Sequence, residues 1–136
     1  MKLFVDTWGW VAVADRSDAG HDAAAEIFRQ ARRSGGAITS NFILDETFTL
    51  LFQRRPFEDA WHFTTNVVQS PFIDVQEVTK VRFSRTIELR KQFSDKPKIS
   101  FTDLSSMAIM LELGITDILT ADRHFTHVGL GFRTLP

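Results

Sequence analysis

Apolar residues along this chain fall into two alternating rhythms. Lys2 to Val5 is a short apolar run that stops at Asp6, as a buried strand does, and Ala37 to Thr39, Phe72 to Val75, Asp117 to Thr120 and Phe132 to Leu135 read the same way. Helical periods lie between them. Thr7 to Ala14 is a short helix, and His21 to Arg33 sets Ala24, Ile27, Phe28 and Ala31 on one face with Asp22, Glu26, Arg29 and Arg33 toward water. Gly35-Gly36 ends it. A helix from Asn41 to Gln53 breaks at Pro56, and another runs from Phe57 to Gln69. Glu77 to Phe93 is the longest helical stretch, and Ser94-Asp95-Lys96-Pro97 makes a loop behind it. Ser100 then opens a helix that ends at Leu113 with Gly114 as its cap, and a short helix follows Asp122.

Four or five short strands separated by helices predict an α/β fold. The sheet is expected to be mainly parallel, joined by right-handed crossovers and flanked by helices on both faces. In such sheets ligands bind outside the carboxyl ends of the strands, so the residues that follow each strand carry the chemistry. The 136 residues contain no repeat, linker or low-complexity segment and are expected to form one domain, residues 1–136.

Composition narrows the function. The chain has no cysteine, which excludes thiol catalysis, thiolate zinc sites and disulfide scaffolds. Its 16 basic and 17 acidic side chains give a net charge of −1, so no global field draws it to nucleic acid or an anionic membrane. Any polyanion must be held locally. Asp6 breaks the N-terminal apolar run before it can read as an export signal. The longest segment without a charged residue, Ala60 to Ile73, is too short and too polar to span a membrane. A soluble cytoplasmic protein is expected. Most of the 13 Phe and 3 Trp rings are expected in the core.

Four acids stand where this fold builds its sites. Asp6 follows the first strand, Asp122 lies two residues past the strand ending at Thr120, Asp103 is in the first turn of the helix opened by Ser100, and Glu46 is one turn into the helix after the second strand. In a parallel sheet all four can converge on one edge. Carboxylates gathered there suit Mg²⁺ or Mn²⁺, which prefer oxygen ligands. Each acid also has an ordinary role open to it. Asp6 and Asp122 can cap the helices behind them, Ser100 to Asp103 has the form of a capping box, and Glu46 can be a solvated helix residue. Its flank of Phe42, Ile43, Thr49 and Leu50 is unusually apolar for that last role.

The segments Phe4-Val5-Asp6-Thr7, Thr39-Ser40-Asn41-Phe42-Ile43-Leu44-Asp45-Glu46, Ser100-Phe101-Thr102-Asp103-Leu104 and Ile118-Leu119-Thr120-Ala121-Asp122-Arg123-His124-Phe125 span nearly the whole chain. In that order they resemble the PIN-domain nucleases, in particular the short VapC-like toxins of type II toxin–antitoxin systems. The resemblance implies a three-layer α/β/α fold and a Mg²⁺- or Mn²⁺-dependent endoribonuclease. Asp6, Glu46, Asp103 and Asp122 would be its catalytic and metal-binding quartet, with Thr7, Ser100 and Thr120 orienting ligands or water. It also implies a homodimer and a cognate antitoxin that covers the site. Where some members carry a further acid two residues after the last one, this chain has His124. With no thiolate or third histidine near, His124 and His127 are expected to be ordinary surface residues.

An RNA substrate would need local cations, and Arg123, Lys96 with Lys98, and Arg54 with Arg55 are the candidates; each also reads as part of a solvated charged face. Single-stranded or loop RNA is the more accessible target. A housekeeping RNA-processing nuclease and a non-catalytic RNA- or protein-binding module share the fold, and the second would normally have lost an acid. A haloacid-dehalogenase-like phosphatase needs an Asp at position 8, which is Trp8. A response-regulator receiver needs an acidic pair near Asp6, which has no acidic neighbour.

Overall fold

A computed structural model describes residues 2–136. Five strands are present among them, β1 (Leu3–Val5), β2 (Ala37–Ser40), β3 (Ile73–Gln76), β4 (Asp117–Leu119) and β5 (Arg133–Leu135). The helices are α1 (Thr7–Ala14), α2 (His21–Ser34), α3 (Asn41–Arg54), α4 (Phe57–Gln69), α5 (Lys80–Gln92), α6 (Phe101–Leu113) and α7 (His124–His127). The strands lie in the order β3-β2-β1-β4-β5, and all four pairings are parallel. The expected α/β architecture is therefore the observed one, with five strands and no antiparallel member.

Central strands are apolar because both of their faces are covered. Every residue of β1 and β2 is buried, and Phe4 pairs with Ile38 on one side and Ile118 on the other. Leu3, Phe4, Ile43, Leu104, Met107, Ile109, Met110 and Ile118 form the centre of the core with essentially no exposure. Strand order runs outward from β1 in one direction and then restarts from β1 in the other. Right-handed crossovers place the helices after β1 and β2 on one face and those after β3 on the opposite face. The carboxyl ends of β1 and β4 flank the crevice where the winding reverses.

Local side chains set the helix starts. Ser40 accepts from the Ile43 N–H at 3.1 Å, Thr79 from Arg82 at 3.3 Å and Ser100 from Asp103 at 3.0 Å. The helix expected from Glu77 begins instead at Lys80. Thr79 is extended and caps it, and the Val78 N–H is drawn off to Asn41 Oδ1 at 2.8 Å. Gly114 ends α6 in the left-handed region at φ 69°, the conformation glycine adopts without penalty. Among the described residues no helix is long and apolar enough to cross a membrane.

Candidate metal centre

Asp6 sits at the end of β1 with 7% exposure, its N–H donating to Leu119 O at 3.2 Å. Its side chain makes no capping bond to α1. Instead Oδ2 accepts the buried Thr120 hydroxyl at 2.8 Å, and the same hydroxyl oxygen accepts the Asp122 N–H at 3.0 Å. One threonine thus ties the ends of β1 and β4 together at the crevice. Behind it, Trp10 Nε1 donates to Thr39 Oγ1 at 3.1 Å, and that hydroxyl donates to Val5 O at 3.0 Å. Thr7 is buried and accepts from Thr47 Oγ1 at 3.3 Å. Gly9 lets α1 come this close, since a Cβ there would lie 2.7 Å from Leu119 O.

Asp122, Asp103 and His124 each present a ligand atom, all within 4.8 Å of one another. Asp122 Oδ1 accepts the His124 N–H at 2.8 Å, closing the turn into α7, and the carboxylate faces Asp103. His124 departs from the expectation of an ordinary surface residue. Its Nδ1 is buried 3.1 Å from Asp122 Oδ1 yet has no hydrogen-bonding partner. His127 stays exposed, 6.4 Å away ring to ring. Glu46 is exposed on α3, outside this tight group, and its charge acts on Asp6 from the side.

Repulsion and burial are written into the proton affinities. Burial raises the Asp6 carboxyl to about 6 against the pull of the Thr120 hydroxyl, with Glu46 and Asp122 adding repulsion. Asp103 is raised to about 7 by burial, by the charges of Asp6 and Asp122, and by a hydrogen bond with Asp122 that favours its protonated form. Carboxylates that resist ionising together, beside a buried imidazole nitrogen that makes no hydrogen bond, form a site that positive charge would relieve. That donor set fits a divalent cation.

The PIN domain family model matches residues 3–130. The chain belongs to the PIN-domain family. It is 32% identical over 127 residues, 93% of this chain and 94% of that protein, to the 23S rRNA-specific endonuclease VapC20 of Mycobacterium tuberculosis strains CDC 1551 / Oshkosh and ATCC 25618 / H37Rv. The crystal structure of M. tuberculosis VapC20, a toxin that cleaves the sarcin–ricin loop, superposes with a TM-score of 0.82 at 30% identity, covering 93% of this chain and 95% of that one. VapBC2 from Rickettsia felis, bound to a DNA fragment from its promoter, shares the fold at a TM-score of 0.78 and 14% identity over the full length of both chains.

The basic residues of this PIN domain divide by position. Arg123 is exposed beside Asp122, and Lys98 is exposed two residues before Ser100. Lys96 Nζ is 2.9 Å from Asp95. Arg54 and Arg55 end a helix of 14 residues, about 20 Å from its start at the carboxyl edge of the sheet. There Arg55 pairs with Asp15 at 3.5 Å and Asp59 at 3.7 Å, which separates these two from the acids. Arg90 lies on α5. Its guanidinium clamps the loop before α6, donating to Ile99 O at 2.6 Å and to Phe93 O and Lys96 O at 2.7 Å. No local signal marks it, because its acceptors are backbone carbonyls.

Proposed function

We propose that this PIN domain is a metal-dependent endoribonuclease and the toxin of a toxin–antitoxin pair, acting on an accessible loop of structured RNA. The gathering of Asp103, Asp122 and His124 beside Asp6, at the point where the sheet reverses its winding, carries the reading. The likeness to a 23S rRNA-specific endonuclease over 93% of the chain supports the substrate class. Asp6, Asp103 and Asp122 would hold Mg²⁺ or Mn²⁺, with Glu46 facing it from α3. An ion held there would activate a water and stabilise the leaving oxygen of a phosphodiester.

The chain's own residues do the positioning. Thr120 fixes the Asp6 carboxylate and the Asp122 backbone at once, and Ser100 sets the turn that presents Asp103. Thr7 and Thr39 hold the end of β1 beneath them. Arg123 and Lys98, exposed near the acids, are the cations placed to meet the RNA backbone.

A homodimer and a cognate antitoxin are part of the same proposal. Phe52, Phe57 and Trp61 are exposed in a row on α3 and α4, with Phe57 and Trp61 stacked at 5.9 Å, an apolar surface that a partner would cover. The test is to incubate the purified, partner-free protein with total RNA, with and without Mg²⁺ or Mn²⁺, and to map new ends. Discrete metal-dependent cuts support the reading. Intact RNA under both conditions overturns it.

A further inference from the structure

Helix α3 has two working faces. Ile43, Leu44, Thr47 and Leu51 enter the core, whereas Phe42, Asp45, Glu46, Thr49 and Leu50, at i, i+3, i+4, i+7 and i+8, share another face. With Thr102 of α6 this second face lines an open cleft of about 510 Å³. Of the flank of Glu46, Phe42, Thr49 and Leu50 are therefore cleft wall, and Ile43 is core.

Two of the residues that line the cleft, Glu46 and Thr102, relate it to the acid cluster. Glu46 acts electrostatically on Asp6, and Thr102 adjoins Asp103. Phe42 in turn meets Phe83 edge to face at 6.4 Å, and Phe83, 42% exposed, meets Phe101 at 5.2 Å. Two carboxylates at the rim repel a phosphate, while the ring and Leu50 offer a dry surface to something flat and uncharged. An N–H donor on that flat group would complete the fit, because both rim acids accept only.

We propose that this cleft seats one unpaired nucleobase of the RNA beside the scissile phosphate, and that Asp45 selects a base carrying an amino group over uracil. Adenine, cytosine and guanine present an exocyclic amino group, whereas uracil has none and its single imide N–H is flanked by two carbonyls that a carboxylate repels. The proposal rests on the ribonuclease reading above.

Single-stranded oligonucleotides that differ in one base at each position around a mapped cut provide the test, with Mn²⁺ present. The parent should cut amino-bearing bases at one position about tenfold better than uracil, the discrimination expected of one base-edge contact. Asp45→Asn should bring that ratio toward one. Leu50→Ala should raise KM for all four bases with kcat and the Mn²⁺ requirement little changed. Asp45 is exposed, so its variant is expected to fold, and a melting curve checks both proteins. A parent indifferent to base at every position, or an Asp45→Asn protein that keeps the preference, overturns the subsite alone. So does a Leu50→Ala protein whose only defect is loss of a dimer. Absence of metal-dependent cutting of any RNA by the parent overturns the ribonuclease reading and the subsite with it.

Discussion

The Thr120 hydroxyl donates to Asp6 Oδ2 at 2.8 Å across 114 residues of sequence, and accepts the Asp122 N–H at 3.0 Å from the other side. Because it stabilises the ionised carboxylate, it works against the burial that keeps Asp6 protonated. Thr120→Val keeps the shape and removes the bond, so the Asp6 carboxyl should titrate higher still. A hydrogen bond to a charged group is worth about 1.5–3 kcal/mol, so the Mn²⁺ concentration for half-maximal cleavage should rise at least about tenfold. Thr120→Ser should behave as the parent. Metal titration of the cleavage rate checks both, and an unchanged Mn²⁺ requirement in Thr120→Val would remove the threonine from the site.

The quartet itself is tested by amides. Asp6→Asn, Asp103→Asn and Glu46→Gln keep size and lose the charge that holds a cation. Each should lower metal-dependent cleavage by more than the roughly 10–100-fold typical of supporting residues. Circular dichroism should report folded protein throughout. Rates within a few-fold of the parent would make these acids structural.

Much of this centre was legible in the order of residues along the chain. Thr7–Ala14 and Phe57–Gln69 are helices with the expected ends, because Asp6 and Pro56 stop the preceding elements locally. Ser100 and Gly114 bracket α6 for equally local reasons. The placement of Asp6 and Asp122 follows from strand ends in a parallel sheet, and that of Asp103 from the helix start that Ser100 caps. What the sequence could not show depends on distant partners. Asn41 Oδ1 captures the Val78 N–H from 37 residues away and delays α5.

Arg90 is a second such case. Its three bonds to Phe93, Lys96 and Ile99 carbonyls hold the loop that delivers Ser100 and Asp103. Arg90→Met should leave those carbonyls without their charged donor and cost about 2–4 kcal/mol, on the scale of one to two lost charged hydrogen bonds. At this chain length that is on the order of 10 °C in melting temperature. Thermal unfolding measures the loss, and a change of under about 2 °C would show the clamp to be idle.

The metal-free site should make stability fall with pH. Asp6 and Asp103 are raised from 3.8 to about 6 and about 7, so the native state holds their protons longer than the unfolded chain does. Their contribution is full below 3.8 and is lost as pH climbs through 6 and 7. For Asp6 the displacement corresponds to about 3 kcal/mol. With chelator present, melting temperature should decline between pH 5 and pH 8, and Asp103→Asn should flatten that decline. A parent that melts at the same temperature across this range would show that the two carboxylates ionise freely.

Divalent metal should then reverse the penalty without any RNA in the tube. An ion that binds only the folded site adds about 2.7 kcal/mol at 100 times its dissociation constant. For 136 residues this is on the order of 10 °C. The gain should grow with pH, because the ion takes the place of protons on Asp6 and Asp103 and meets less competition as they leave. Asp103→Asn has already shed part of the repulsion, so at pH 8 without metal it should melt at or above the parent, yet gain much less when Mn²⁺ is added. Differential scanning calorimetry of both proteins at pH 6 and pH 8, with chelator or with millimolar Mn²⁺, separates the two effects. A parent indifferent to Mn²⁺ at pH 8, or an Asp103→Asn protein that responds as fully as the parent, would mean that the acids gathered at the ends of β1 and β4 serve the turns around them and hold no ion.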